Sequence, residues 1–137
     1  MTMHLHDTKT GLTVLDRAEC LEKLAEQQIG RLGVIESNHP VVLPINYVMD
    51  GEAPVMATVD GVKARAARGR PACLEVDQID TEHQTGWSVL IRGRLEDVTH
   101  DGDVLARITP PRPWAPGPHP FLLRLVPFAV TGRIVGD

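Results

Sequence analysis

Apolar and polar residues alternate with a period of two along much of this 137-residue chain. The longest alternating run covers residues 87–98, where Trp87 and Val89 share one face while Ser88 and Leu90 share the other. Successive side chains of a β-strand point to opposite faces, so this period predicts a strand, and its length suggests one that bends across a barrel. Shorter runs predict further strands at 31–36, 41–49, 54–59, 72–76 and 121–135.

A helical period replaces the alternation in three short stretches. The first helix is predicted to begin after Asp16, which can cap it, with Glu19 completing a capping box. Cys20 and Leu24 lie on its apolar stripe, and Gly30 suits its C-terminal end. Two further short helices are predicted at 62–69 and 101–109.

Turn signals connect the strands in sequence. Residues 37–40 and the dipeptide Asp50-Gly51 predict two tight turns, which join the strands on either side into an antiparallel meander. Loops are predicted for the polar residues 77–85 and the proline-rich residues 110–120. About six strands with few short helices favour a mainly β fold, a small antiparallel barrel, because closure removes exposed sheet edges.

Length and composition agree with one folded domain. Hydrophobic residues make up 42% of the chain and charged residues 23%, which is typical of a globular protein. We expect a single domain over residues 12–137, preceded by a flexible polar tail at 1–11. That tail has no apolar region of the signal-peptide type, and no apolar run approaches the length of a membrane span. A cytoplasmic protein without membrane contact is therefore expected.

The formal charge limits the partners. A net charge of −4 gives the protein no overall field for holding nucleic acid, so no such partner is expected. Cys20 and Cys73 lie far apart in apolar segments, which favours reduced core thiols over a disulfide or a zinc site. His4 and His6 are close together, but the other histidines are scattered, so no metal is expected.

Two strand segments carry residues that a purely structural strand rarely needs. Pro44 removes a backbone donor from the ladder, and Asn46 offers a donor and an acceptor to the edge of a heterocycle. An edge-strand bulge with Tyr47 in the core is the alternative. Trp87 and Trp114 have flat surfaces that suit either a bound ring system or the core.

A third candidate binding segment covers residues 60–63, where a glycine turn leads into a predicted helix. Free N–H groups at a helix start favour an anion, and Lys63 adds a full charge, so the segment suits a phosphate, with Thr58 nearby. A plain turn with a solvated lysine is the alternative. The chain has no nucleophile elbow and no Walker-type loop.

The capped leading helix is followed, in order, by short motifs at 29–33, 44–48, 58–63, 74–77, 86–89, 113–117 and 131–133. Together they resemble the pyridoxamine 5′-phosphate oxidase-like family of flavin-binding split barrels. The resemblance is greatest to its small actinobacterial and nitroimidazole-resistance-type members.

This resemblance implies a six-stranded antiparallel Greek-key split barrel of the FMN-binding type. It also implies a homodimer with two flavin sites at the subunit interface, which hold FMN or, in some relatives, the deazaflavin coenzyme or haem. By matching position, the cofactor-binding residues at the edge of the flavin ring would be Pro44, Ile45, Asn46 and Tyr47. Those at the phosphate would be Thr58, Val62 and Lys63. Trp87 and Ser88 would approach the ring from the other subunit, and Trp114 would form a wall of the site.

One departure from the family pattern concerns the phosphate. Ala57 and Val62 stand where similar proteins often carry arginine and serine. Charge-assisted hydrogen bonds contribute about 1.5–3 kcal/mol each, so the loss of one predicts about tenfold or greater weakening of FMN. Arg65 or Arg68 is a candidate for compensation.

The resemblance leads to an FMN- or deazaflavin-dependent oxidoreductase that acts on a small molecule, with no side chain named as catalytic. A non-catalytic protein that stores or senses a flavin, deazaflavin or haem is the alternative. A structural dimer with a decayed flavin pocket is a third reading.

Overall fold

The structure is a computed structural model that describes residues 5–6, 13–59, 68–113, 117 and 120–136. Two helices are present in this part of the chain, α1 (Arg17–Glu26) and α2 (Gly102–Arg107). Eight strands accompany them: β1 (Leu5–His6), β2 (Thr13–Leu15), β3 (Ile29–Glu36), β4 (His39–Asp50), β5 (Ala53–Thr58), β6 (Pro71–Asp80), β7 (Thr85–Asp97) and β8 (Phe121–Val135).

Six of these strands close into a ring. Their order around the ring is β8, β5, β4, β3, β6 and β7, and the pairing of β7 with β8 closes it. Every pairing in the ring is antiparallel. The short strands β1 and β2 extend the sheet beside the C-terminal half of β8. The predicted mainly β, six-stranded antiparallel split barrel is therefore confirmed. The segment predicted as a tail contributes β1 to this sheet.

Helix α1 begins as its sequence predicts. The Glu19 backbone N–H donates to Asp16 Oδ1 at 2.8 Å, and the Asp16 N–H donates to Glu19 Oε1 at 3.2 Å. The prediction that Gly30 ends the helix was wrong, because α1 ends at Glu26 and Gly30 lies in β3. A Cβ atom at Gly30 would lie 2.8 Å from the Leu74 side chain, so glycine serves the packing of β3 against β6.

The barrel interior contains the main core. Inward-facing residues of the strands pack with Cys20 and Leu24 of α1, which lies against the barrel. The Tyr47 hydroxyl donates to the Leu24 carbonyl at 2.5 Å and links β4 to the helix. A second cluster, Val55, Ala57, Val98, Val104 and Leu122, lies where α2 covers the outer side of β5.

Several strands are longer than their sequence pattern predicts. Strand β4 begins at His39, because the turn before it is only Ser37-Asn38, with φ of 48° and 69°. Strand β6 continues through Asp80 in a region predicted as a loop, since residues 77–80 pair with 85–88 of β7. Helix α2 is shorter than predicted, and most of the predicted helix 62–69 lies outside the described residues.

Strand β7 has the alternation that its sequence predicts, with Trp87, Val89, Ile91, Gly93 and Leu95 facing inward. Its register against β8 shifts between Arg92 and Gly93. A Cβ atom at Gly93 would lie 2.0 Å from the Val126 carbonyl oxygen, so only glycine allows the two strands to meet there. Neither described helix is long and apolar enough to cross a membrane.

Candidate functional site

The candidate site lies where two neighbouring strands separate. Strand β5 pairs with β4 only from Tyr47 to Asp50, so residues 39–46 of β4 pair with β3 on one side and have no strand on the other among the described residues. A cavity of about 380 Å³ occupies this gap. It is lined by Ile29, Leu43, Pro44, Ile45, Asn46, Ala57, Thr58, Val59 and Pro113.

The backbone of β4 gives this gap a polar edge. The Tyr47 N–H donates to the Gln28 carbonyl at 2.9 Å, and antiparallel pairs alternate between bonded and non-bonded residues. The backbone groups of residues 40, 42, 44 and 46 therefore point away from β3. Pro44 has no N–H to leave unpaired there, while Asn46 directs an N–H and a carbonyl toward the cavity.

Asn46 also holds a loop over the site. Its side-chain Nδ2 donates to the carbonyl of Arg112 in the segment after α2. Pro111, Arg112 and Pro113 of this segment line the cavities on both sides of Asn46. The side chain predicted to contact a heterocycle is thus bonded within the protein through its Nδ2, and it fixes one wall of the cavity.

The Tyr47 side chain lies in the core, which the sequence analysis gave as the alternative to contact with a ligand. Its side chain is only 2% exposed and its hydroxyl is bonded to Leu24. Burial raises the pKa of the Tyr47 phenol, so it is a neutral donor over the ordinary pH range. Its backbone borders the gap, but its hydroxyl is already bonded within the protein.

Trp87 and Ser88 are not brought to this cavity within one chain. Trp87 is 7% exposed in the core, and the Lys23 ammonium lies 5.1 Å from its ring centroid. Ser88 lies on the opposite face of β7, paired with Asp77 of β6 and Arg133 of β8. Of the two residues, only Ser88 belongs to an outer surface of the barrel.

The predicted phosphate site is only partly described. Thr58 and Ala57 line the cavity at the end of β5. Val62, Lys63 and Trp114 lie outside the described residues. Ala57 is 3% exposed and belongs to the second core cluster, so an arginine there would have to displace packed side chains.

A second cavity adjoins the first and was not predicted from the sequence. It measures about 590 Å³ and shares Asn46 with the first cavity. Its lining comes from the end of α1, from β4 and from the loop after α2, and comprises Leu24, Ala25, Gln27, Gln28, Asn46, Tyr47, Val48, Met49, Pro111 and Arg112. These segments are distant in sequence, and of the lining only Asn46, Tyr47 and the proline-rich loop were singled out in the sequence.

The outer face of β3 and β6 carries a charged cluster. One guanidinium nitrogen of Arg31 lies 3.5 Å from Glu75 and 3.3 Å from Asp77. Partial burial and the neighbouring Asp77 carboxylate raise the pKa of Glu75 to about 7. Glu75 therefore titrates near neutral pH, although it lines neither cavity described above.

Beside this cluster lies an apolar groove of about 320 Å³ that includes Ile35, Val42, Cys73 and Phe128. Val42 is 68% exposed and Phe128 72%, which are high values for apolar side chains. Arg92 stacks over the Phe128 ring at 5.7 Å. The groove is therefore apolar at its centre and charged at its border.

A closed six-stranded antiparallel barrel with a cleft between two of its strands defines the split-barrel class. The chain belongs to the pyridoxamine 5′-phosphate oxidase family, whose model matches residues 16–134. The uncharacterized protein Rv0080 of Mycobacterium tuberculosis is 31% identical over 130 residues, which cover 90% of this chain and 86% of that relative.

Two solved structures are also similar. An FAD-binding protein from Mycobacterium smegmatis is 29% identical, with a TM-score of 0.75 over 89% of this chain and 98% of that one. A protein of the pyridoxamine 5′-phosphate oxidase type from Corynebacterium glutamicum is 28% identical, with a TM-score of 0.78 over 92% and 96% of the two chains.

Proposed function

We propose that this chain binds a flavin in the gap between β4 and β5 and serves as a homodimeric, flavin-dependent oxidoreductase. The observation that carries the proposal is the edge of β4 that no strand in the described part of the chain pairs with, beside a cavity with mostly apolar walls. A flavin ring needs apolar surface against its faces and hydrogen-bonding groups along its polar edge. The M. smegmatis relative that binds FAD has the same fold over 98% of its length.

The residues of the site would have separate tasks. Leu43, Ile45 and Ala57 supply apolar contact for the ring, and the Asn46 backbone supplies a donor and an acceptor for its edge. Proteins of this kind bind and orient a flavin, and the bound flavin itself carries the electrons. No ionisable side chain lines the first cavity within the described residues, so a catalytic acid or base is not part of the proposal.

The homodimer is supported by the apolar groove on the outer face of the barrel. Val42 and Phe128 expose surface that a second copy would cover, and Arg92, Arg31 and Glu75 give the border both signs of charge. Twofold contacts pair such a face with itself. In this arrangement Ser88, on the outer face of β7, remains the residue proposed to approach the other subunit's flavin, whereas Trp87 stays in its own core.

Titration of the purified protein tests the binding proposal. FMN, FAD and the deazaflavin coenzyme would each be followed by flavin fluorescence and by visible absorption. We expect saturable micromolar or tighter binding of a flavin, with one site per chain. The absence of saturation with all three cofactors would contradict the proposal.

A non-catalytic flavin carrier is the second candidate, because the first cavity lacks an ionisable group among its described residues. A haem would need an axial ligand, and the described linings contain no His or Cys but do contain Met49 and Tyr47 in the second cavity. Steady-state reduction of a quinone or nitro compound by the reduced, cofactor-loaded protein distinguishes the enzyme from the carrier. Turnover that does not exceed that of free reduced flavin would favour the carrier.

A further inference from the structure

The second cavity is lined by polar side chains that have no partner within the described part of the chain. The Arg112 guanidinium makes no ion pair and no hydrogen bond there. The side-chain amides of Gln27 and Gln28 are likewise unbonded among these residues. No carboxylate belongs to the described lining. One guanidinium and two amides are therefore available to a ligand.

The charges around this cavity favour a ligand with a single negative charge. Arg112 is the one cation in the described lining. Another wall is the C-terminal end of α1, where backbone carbonyls concentrate partial negative charge. A phosphate dianion would bring two charges to one guanidinium and would also meet this end of the helix. A carboxylate balances the single charge, and its two oxygens match two parallel N–H donors of the guanidinium.

The rest of the lining suits the apolar body of such a ligand. Val48 and Met49 of β4 and Pro111 of the loop present hydrocarbon surface to the cavity. The two glutamine amides add N–H donors for the carboxylate and carbonyl acceptors for any donor that the ligand carries. A volume of about 590 Å³ is in the range of sites that hold small organic molecules.

Asn46 separates this cavity from the proposed flavin site. Its Nδ2 donates to the Arg112 carbonyl, so this hydrogen bond lies between the two cavities. Arg112 and Pro113 are consecutive residues of the loop and line the second and the first cavity respectively. A ligand of the second cavity therefore has no need to displace a flavin.

From these contacts we infer that the second cavity is a separate binding site for a small organic monocarboxylate, whose carboxylate is bound by the Arg112 guanidinium. The apolar part of the ligand lies against Val48, Met49 and Pro111. The inference goes beyond the proposed flavin function and does not depend on it. Carboxylate binding and flavin binding can succeed or fail independently of each other.

Isothermal titration calorimetry with 4-phenylbutyrate tests this assignment. The probe should bind saturably, and its neutral amide should bind about tenfold or more weakly, because the amide cannot form the charge-assisted contact. Arg112→Gln should weaken 4-phenylbutyrate by about the same factor. The substitution keeps the backbone carbonyl that Asn46 binds. Arg70→Gln is the matched control, since Arg70 is exposed, carries the same charge and lines neither cavity.

Two further titrations test the single charge and the separation from the flavin site. The dianion 3-phenylpropyl phosphate should bind more weakly than 4-phenylbutyrate, and excess FMN should leave the affinity for 4-phenylbutyrate within about twofold.

No binding of 4-phenylbutyrate, equal affinity for the acid and its amide, or equal affinities in Arg112→Gln and Arg70→Gln would each overturn the inference. Tighter binding of the phosphate, or displacement of 4-phenylbutyrate by FMN, would overturn it as well. Failure of every flavin to bind, with 4-phenylbutyrate behaving as expected, would contradict only the proposed function.

Discussion

The Tyr47 hydroxyl stabilises the contact between β4 and α1, because it is the donor to the Leu24 carbonyl. Tyr47→Phe would leave that buried carbonyl without this partner. We expect a loss of about 1–2 kcal/mol in the free energy of unfolding, measured by urea denaturation. Flavin affinity should not change, since the hydroxyl is already bonded in the core. A large loss of affinity with unchanged stability would contradict this role.

Asp50 is the centre of an ion network at the end of β4. Arg107 binds it through two nitrogens at 2.8 and 2.9 Å, and Arg124 through a third at 3.1 Å. The Asp50 side chain is only 6% exposed. Hydrogen bonds from Arg107, and then from Arg124, lower the pKa of Asp50 to about 2.

The lowered pKa of Asp50 sets the direction of its pH effect. Its stabilisation is complete above the ordinary pKa near 3.8 and is lost as the pH falls toward 2. Asp50→Asn should therefore destabilise the protein at pH 7, by about 2–4 kcal/mol, and much less at pH 2.5. Urea denaturation at both pH values measures the difference, and an equal loss at both would refute the ionic role.

The pKa of Glu75 is raised instead of lowered, so its effect on stability changes with pH in the opposite direction to that of Asp50. Its raised pKa means that the folded protein favours the protonated carboxyl, so stability falls as the pH rises from about 4.5 to about 7. Glu75→Gln should remove this decline, so the variant gains stability relative to the wild type between pH 5 and pH 8. Glu82→Gln, in the exposed turn before β7, is the control and should keep the wild-type profile. Parallel profiles for wild type and Glu75→Gln would contradict the assignment.

Residue patterns predicted local interactions well and distant ones poorly. The Asp16–Glu19 capping box joins residues only three positions apart in the chain, and it is present. The location of Tyr47 depends on the Leu24 carbonyl, 23 residues away, and the sequence left two alternatives open. That Arg112 lines a cavity was not predicted, because only the folded chain places it beside Asn46.

At the scale of elements, the register shift between β7 and β8 at Gly93 leaves no room for a side chain. Gly93→Ala would place a Cβ atom against the Val126 backbone, so we expect destabilisation by about 2–3 kcal/mol. Gly102→Ala is a matched control, because a Cβ atom there meets nothing within 4 Å and Gly102 lies in α2. Thermal unfolding of both variants tests this, and equal melting temperatures would refute the constraint.

Strand existence was predictable, whereas strand ends were not. In β7 the alternation of apolar and polar residues was enough to predict which side chains face inward. In β6 the last residues, 77–80, are mostly polar and carry no apolar alternation, so nothing in their pattern indicates that they pair with β7. The gap between β4 and β5 was likewise not predictable, because it depends on where the two strands stop pairing. Both strands have an ordinary β composition on either side of it.

At the scale of the whole molecule, the apolar groove predicts self-association. Phe128→Ser should shift the proposed dimer toward monomer, which analytical ultracentrifugation measures, since it removes the largest exposed apolar side chain of the groove. Leu105→Ser, on α2 and outside the groove, should leave the assembly unchanged. A wild-type protein that stays monomeric at high micromolar concentration would contradict the homodimer.

The edge of β4 at residues 39–46, which has no strand partner on one side among the described residues, also bears on how the protein avoids aggregating. A foreign strand that added to this edge would seek N–H donors from residues 40, 42, 44 and 46, and two of those four residues are Pro40 and Pro44. Only Val42 and Asn46 can donate, so a continuous intermolecular ladder cannot form there. Pro40 and Pro44 thus protect this stretch of β4 from edge-to-edge polymerisation.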